Sequence, residues 1–167
     1  LATAFTQNPL IAILRGLEPT SAIAVSDTLI DAGFRIVEVP LNSPKPLESI
    51  QLIAQRHGTQ AIVGAGTVLT VITPSEAFAA LDLGASVLKF FPAEMMPPKA
   101  IAAMRAVLPQ DAVLAAVGGI SPDNMAAYRV AGVNGFGLGS ALFKPENTVD
   151  EISKRAQAFA QALEDWQ

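Results

Sequence analysis

The 167-residue sequence has no cysteine, a single histidine and few charged residues. Without cysteine the chain can form neither a disulfide nor a thiol-based catalytic site. One histidine excludes a His-rich metal site, and a Ser-His-Asp triad would have to use His57. Charged residues make up 16% of the chain and the net charge is −4. This balance gives no reason to expect binding to nucleic acid or to an anionic membrane surface.

Long apolar runs are also lacking. None reaches the roughly 18 residues of a membrane span, and residues 1–9 show no basic start followed by an apolar stretch, so we expect neither a membrane span nor a signal peptide. Apolar residues nevertheless make up 51% of the chain, which is too many for a disordered protein. The length predicts a single domain over residues 1–167. A reducing cytoplasm is compatible with the absence of cysteine, and we expect that location.

Short apolar runs alternate with helical patterns along the whole chain. The runs predict strands at 11–14, 36–41, 61–64, 87–91, 112–117 and 135–138. Three Ser or Thr residues followed by proline predict helix starts, namely Ser43, Ser121 and Thr73, the last of which opens a Thr-x-x-Glu capping box. Alternating units of this kind indicate a parallel α/β fold. Six strands leave two alternatives, a doubly wound sheet or a barrel from which a part is missing.

Four of the predicted strands carry one polar residue at or near the end. Arg15 ends the first strand and Glu38 lies inside the second, whereas Thr67 follows the third and Lys89 lies inside the fourth. In a parallel α/β fold the carboxyl ends of the strands carry the catalytic groups. The four residues are therefore candidates for one site.

Lys89 and Glu38 carry the sharpest chemical signal, because both interrupt apolar strands. Desolvation would lower the pKa of a lysine in such a place and give a neutral amine that forms imines with ketones. It would raise the pKa of a carboxyl group, which could then shuttle a proton near neutral pH. A structural ion pair remains the alternative for both. Arg15 could bind a carboxylate or phosphate through two hydrogen bonds, or could simply close a strand.

Two glycine-containing turns follow the last two predicted strands. Gly118-Gly119 precedes the Ser121 helix start, and Gly139-Ser140 follows the final strand. Backbone N–H groups in such turns bind phosphate, and the last two turns of many barrels do so together. The alternative is that both are only tight turns.

Together these motifs resemble the 2-keto-3-deoxy-6-phosphogluconate and -galactonate aldolases. The resemblance runs in order along nearly the whole chain, through IAILRG at 11–16, VEVPLNSP at 37–44, GAGTV at 64–68, LKFFP at 88–92 and AVGG at 116–119. It implies a (β/α)₈ barrel, a homotrimer, no metal and no cofactor. It also implies a class I aldolase that cleaves a phosphorylated keto-deoxy sugar acid and releases pyruvate.

The resemblance further implies a role for each matched residue. Lys89 would form the imine with the substrate, and Glu38 would be the general acid and base. Thr67 and Arg15 would bind the pyruvyl carboxylate. The residues that would hold the phosphate are Gly118, Gly119, Gly139 and Ser140.

Two positions distinguish the branches of the family. The phosphogluconate branch has Arg where this chain has Asn42, and Thr where it has Val117, so the sequence looks more like the phosphogalactonate branch. Val117 would then lie close enough to the substrate to sense its C4 configuration. A phosphogluconate aldolase, a metal-dependent aldolase or phosphosugar isomerase, and a non-catalytic barrel that binds phosphate ligands remain as alternatives.

One departure from the family concerns the middle of the chain. Only five residues separate Thr67 from Thr73, where the family has a further helix and two strands. Removing two strands from a closed barrel would leave unpaired edges and an open core. We therefore expect an eight-unit barrel whose two missing strand units, roughly 35 residues, belong near Leu69–Ile72 in the natural chain.

Overall fold

The computed structural model describes residues 5, 8–66 and 70–164. Within them the chain has a parallel α/β fold with six strands, each near a predicted run, and not the eight strands of the expected barrel. No helix in these ranges is both long and apolar enough to cross a membrane. The chain divides into two compact units, residues 1–67 with 138–167 and residues 68–137.

The first unit contains three strands in the order β3-β2-β1, with each neighbouring pair parallel. Its elements are β1 Leu10–Ile13, α1 Pro19–Asp31, β2 Ile36–Pro40, α2 Pro46–His57, β3 Ile62–Gly66 and α6 Val149–Glu164. Helix α1 packs against both α2 and α6. Leu29, Phe34 and Phe159 are almost completely buried, so they belong to the apolar core of this unit.

The second unit contains the order β6-β5-β4, again parallel. Its elements are α3 Pro74–Asp82, β4 Leu88–Phe90, a 3₁₀ turn Ala93–Met95, α4 Pro98–Val107, β5 Leu114–Val117, α5 Pro122–Val130 and β6 Gly135–Leu138, whose last residue returns to the first unit. Every residue of β5 and β6 is buried. This explains why these strands are continuous apolar runs with no polar alternation.

Two of the three predicted helix caps are present. Thr73 and Ser121 each form a capping box with the residue three positions later. The prediction for Ser43 is wrong, because α2 begins at Pro46 after an N-cap residue, Lys45, with a left-handed φ of 42°. The hydroxyl of Ser43 instead accepts a hydrogen bond from the Gly16 N–H at 3.0 Å.

Two features depart from the regular alternation of paired strands and helices near the short stretch between β3 and α3. Strand β3 pairs with β2 within the first unit, and its apolar Ile62 is 37% exposed. In the second unit Val71 forms an isolated parallel bridge with Phe90, and its N–H donates to the Lys89 carbonyl at 2.9 Å. A single residue thus occupies the position beside β4 that a neighbouring strand would take.

Candidate active site

Lys89 is the middle residue of β4. Its neighbours Leu88 and Phe90 are 1% and 0% exposed, whereas Lys89 itself is half-buried. The register pairs Lys89 with Ala115, and Ala115 in turn with Gly135. Paired residues of parallel strands share a face of the sheet. The lysine therefore lies on the same face as two of the smallest residues, alanine and glycine.

Val117 lies two residues beyond Ala115 at the end of β5 and is 4% exposed. Because side chains alternate along a strand, Val117 shares the face of Ala115 and hence that of Lys89. The predicted substrate-sensing residue and the predicted nucleophile are thus brought to one face of the second unit.

Gly118 and Gly119 follow β5 with φ values of 95° and 66°, a conformation that glycine adopts without strain. A Cβ at residue 118 would lie 3.4 Å from the Phe91 ring and from the Cα of Pro92. The turn therefore packs closely on the segment that follows Lys89. Both glycines are required by this turn itself, so the tight-turn explanation holds whether or not a ligand binds.

Glu38 occupies the centre of β2, between the buried residues Val37 and Val39, and is half-buried. It pairs with Ile13 on one side and with Gly64 on the other. Its side chain reaches over Gly66, so that a methyl group on Gly66 would overlap the Glu38 carboxyl group. The carboxylate is thus directed towards the carboxyl end of β3, which immediately precedes Thr67. Thr67 itself lies outside the described residues.

Arg15 follows β1 and is exposed. Its Nη1 donates a hydrogen bond to Oδ1 of Asn42 at 2.9 Å. The Gly16–Ser43 hydrogen bond ties the same two segments, and the Leu14 N–H donates to the Glu38 carbonyl at 2.9 Å. These contacts hold the turn after β1 against the turn after β2, and so place Arg15 and Glu38 in the same part of the first unit.

Gly139 and Ser140 follow β6, where the Gly139 carbonyl accepts hydrogen bonds from Leu142 and Phe143 at 2.9 Å each. Gly139 does not have a positive φ, and no described atom lies within 4 Å of the position that its Cβ would take. Neither its backbone nor its neighbours thus require glycine here, unlike at Gly118 and Gly119. Close approach of a ligand is a reason for a glycine at this position.

The one histidine belongs to a separate polar cluster between α1 and α2. His57 is the last residue of α2 and is 6% exposed. Its Nε2 lies 2.8 Å from Oδ1 of Asp27, but the two atoms do not have the geometry of a hydrogen bond. Arg56 donates to both carboxylate oxygens of Asp27, at 3.1 and 3.3 Å. The hydrogen bond from Arg56 lowers the pKa of Asp27. This cluster ties the two helices together.

Sequence reasoning gave no site role to three polar residues of these turns. Asn42 served only to distinguish the branches of the family and Ser43 was assigned to a helix cap, although both follow β2 at its carboxyl end; the third residue is Glu94. Glu94 had no signal, because it lies beyond β4 in a 3₁₀ turn that contains no repeating pattern.

Comparison with known proteins shows the family of this chain. The family of KDPG and KHG aldolases matches residues 1–72 and 70–155, in two stretches that meet at the short segment before Thr73. A probable 2-dehydro-3-deoxy-6-phosphogalactonate aldolase of Rhizobium meliloti (strain 1021) is 40% identical over 196 residues, covering 95% of this chain and 92% of the relative. The 2-dehydro-3-deoxy-6-phosphogalactonate aldolase of Escherichia coli (strain K12) is 39% identical over 195 residues, covering 94% and 95%.

A solved structure described as native KDPGal has a TM-score of 0.91 and 38% sequence identity, and the match covers 94% of this chain and 95% of that chain. The two sequence alignments are longer than this 167-residue chain. Both relatives therefore have residues that this chain lacks.

Proposed function

We propose that this chain, which belongs to the KDPG and KHG aldolase family, cleaves 2-dehydro-3-deoxy-6-phosphogalactonate into pyruvate and glyceraldehyde 3-phosphate. The reaction would proceed through an imine on Lys89. Membership of this family makes the chain an aldolase, a carbon–carbon lyase. The observation that carries the imine mechanism is the environment of Lys89, a half-buried lysine between two fully buried apolar residues with small side chains beside it.

The proposed reaction begins when the neutral amine of Lys89 attacks the C2 ketone. Loss of water gives a protonated imine, which accepts the electron pair of the C3–C4 bond as that bond breaks. Glu38 takes the proton of the C4 hydroxyl group, so that C4 leaves as an aldehyde. Glu38 then returns a proton to C3 of the enamine, and water hydrolyses the resulting imine to release pyruvate and regenerate the amine.

The remaining residues are proposed to bind the two charged ends of the substrate. Arg15, held by Asn42, would bind the pyruvyl carboxylate together with Thr67. The phosphate would be held by backbone N–H groups of the two glycine turns, formed by Gly118, Gly119, Gly139 and Ser140. The open space at Gly139 supports this assignment more directly than the Gly118–Gly119 turn does, because glycine there has no structural necessity.

The choice of the galacto substrate over the gluco substrate rests on two residues. Asn42 holds Arg15 through its amide oxygen, which an arginine at position 42 could not do because it has no hydrogen-bond acceptor. Val117 presents an apolar group on the face of Lys89, where the phosphogluconate branch would present a hydroxyl. Both relatives at about 40% identity are named for the galactonate substrate, which supports the same choice.

We also propose that the natural fold is the complete (β/α)₈ barrel. The family match divides into two stretches at 70–72, and the alignments to the relatives are longer than this chain. The single bridge of Val71 beside β4 is what the end of a neighbouring strand would provide. The exposed apolar residues of β3 are what an edge would show if its covering strand were absent. A homotrimer, which the family resemblance implies, and a cytoplasmic location, which is compatible with the absence of cysteine, are part of the same proposal.

Reductive trapping tests the proposed chemistry. Incubation with pyruvate and borohydride should add the mass of the reduced pyruvyl group to the peptide that contains Lys89. Lys89→Ala and Lys89→Arg should abolish both trapping and cleavage. Alanine has no amine, and the guanidinium group of arginine stays protonated and cannot form the imine. Lys99→Ala is a matched control on α4, where the lysine is exposed, and should behave as wild type. Cleavage at a near-normal rate by either Lys89 variant would contradict the imine mechanism.

A further inference from the structure

An acidic residue lies over the Gly118–Gly119 turn. A Cβ on Gly119 would overlap the Cγ of Glu94 and would lie 2.8 Å from its Cδ and Oε1. The side chain of Glu94 thus fills the space left by the missing side chain of Gly119, with its carboxyl group close beside the turn.

The position of Glu94 is fixed by its neighbour in the chain. The hydroxyl of Tyr128 on α5 donates a buried hydrogen bond of 2.9 Å to the Ala93 carbonyl. Burial, together with the negative charge of Glu94, raises the pKa of Tyr128. This hydrogen bond joins the helix that follows the glycine turn to the residue before Glu94. It therefore holds the 3₁₀ turn against Gly119.

This arrangement is unexpected for a pure anion site. A carboxylate and a phosphate of the substrate repel each other, and Glu94 has no described ion-pair partner that would cancel its charge. A glycine turn with no charged side chain beside it could bind many anions. A carboxylate above the turn weakens the binding of every anion that does not displace it.

We propose that Glu94 is a specificity-determining residue that weakens the binding of phosphate at the Gly118–Gly119 turn and has to move aside for the phosphorylated end of the substrate. This inference rests on the proposed function, which places the phosphate at that turn. Its consequence is weaker retention of the three-carbon aldehyde phosphate after cleavage, because the carboxylate returns to the turn as the product leaves.

The test compares Glu94→Gln with wild type in the binding of inorganic phosphate, measured by calorimetry and by inhibition of cleavage. Two unit charges 4 Å apart in water repel each other by about 1 kcal/mol, which is about fivefold in a binding constant. Because Glu94 is exposed, this high-dielectric value applies, and we expect the dissociation constant of phosphate to fall about fivefold in the variant. The difference should shrink at 1 M salt, where the screening length is about 3 Å.

Asp111→Asn is the matched control, since it removes the same charge from an exposed residue before β5, whereas the glycine turn follows that strand. The four residues of β5 span about 13 Å, more than the screening length of about 8 Å at physiological salt. Asp111→Asn should bind phosphate as wild type does. Trapping of pyruvate, which carries no phosphate, should be equal in all three proteins.

Unchanged or weaker phosphate binding in Glu94→Gln would overturn the inference, as would an equal gain in Asp111→Asn. Failure of wild type and variant alike to bind phosphate would also overturn it. If pyruvate were still trapped on Lys89 in those cases, the proposed chemistry would stand and only the role of Glu94 would be wrong. Loss of trapping in wild type would instead refute the proposed function.

Discussion

Replacement of Gly66 by alanine should separate the proposed catalytic role of Glu38 from its role in the fold. The new methyl group would occupy the space that now holds the Cγ, Cδ and Oε1 atoms of Glu38. The backbone at Gly66 does not have a positive φ, so alanine itself is tolerated there. The strain is relieved by rotation of a flexible side chain, at a cost of about 0.5–1.5 kcal/mol for a non-ideal rotamer. The protein should therefore remain folded with little loss of stability.

The effect on catalysis should be much larger. A displacement of about 1 Å in a catalytic group can reduce a rate by about 10²-fold. Removal of the proton-transfer group by Glu38→Gln should cost roughly 10²–10⁴-fold, which sets the upper limit for Gly66→Ala. Because Lys89 is unchanged, trapping of pyruvate with borohydride should survive in both variants.

Gly64→Ala provides the control on the same strand. Gly64 is the register partner of Glu38 and shares the face of Gly66, but no described atom lies within 4 Å of its Cβ position. The assay is the rate of pyruvate release over a range of substrate concentrations, with the free energy of unfolding measured in parallel. We expect kcat to fall in Gly66→Ala alone. Equal kcat values in the two alanine variants, or a loss of stability that parallels the loss of rate, would refute a catalytic placement of Glu38.

Two further perturbations test the specificity residue and the helix cluster. Val117→Thr would add a hydroxyl on the face of Lys89, and the ratio of kcat/KM for the galacto substrate to that for the gluco substrate should fall; an unchanged ratio would mean that selectivity is set elsewhere. The lowered pKa of Asp27, caused by the hydrogen bond from Arg56, adds stability that is complete above the ordinary pKa of about 4 and is lost as the pH falls through the lowered value. The Tm advantage of wild type over Asp27→Asn should accordingly be full at pH 6 and vanish in strong acid, and an advantage that persisted there would contradict the assignment.

The six strands could be predicted because each is an apolar run that ends at glycine, proline or a polar residue. Strands buried on both faces, such as β5 and β6, have to consist of apolar residues along their whole length. Lys89 and Glu38 were singled out as candidates for the same reason, since a charge within such a run has few structural explanations. The capping box at Thr73 was predictable because its glutamate partner lies three residues later, and the cap at Ser121 because proline follows it.

Features that depend on contacts between distant segments were beyond the reach of local patterns. Ser43 looks like a helix cap, but its hydroxyl is taken by the N–H of Gly16, 27 residues earlier, and the helix starts two residues later than its proline indicates. The placement of Glu94 over Gly119 depends on a hydrogen bond across 35 residues, from Tyr128 to Ala93. The residues proposed for imine formation and proton transfer, Lys89 and Glu38, stand out because a charge is out of place in an apolar strand. Glu94, the residue proposed to act on phosphate binding, lies in an exposed turn, where a polar side chain is ordinary and only the tertiary fold shows what it faces.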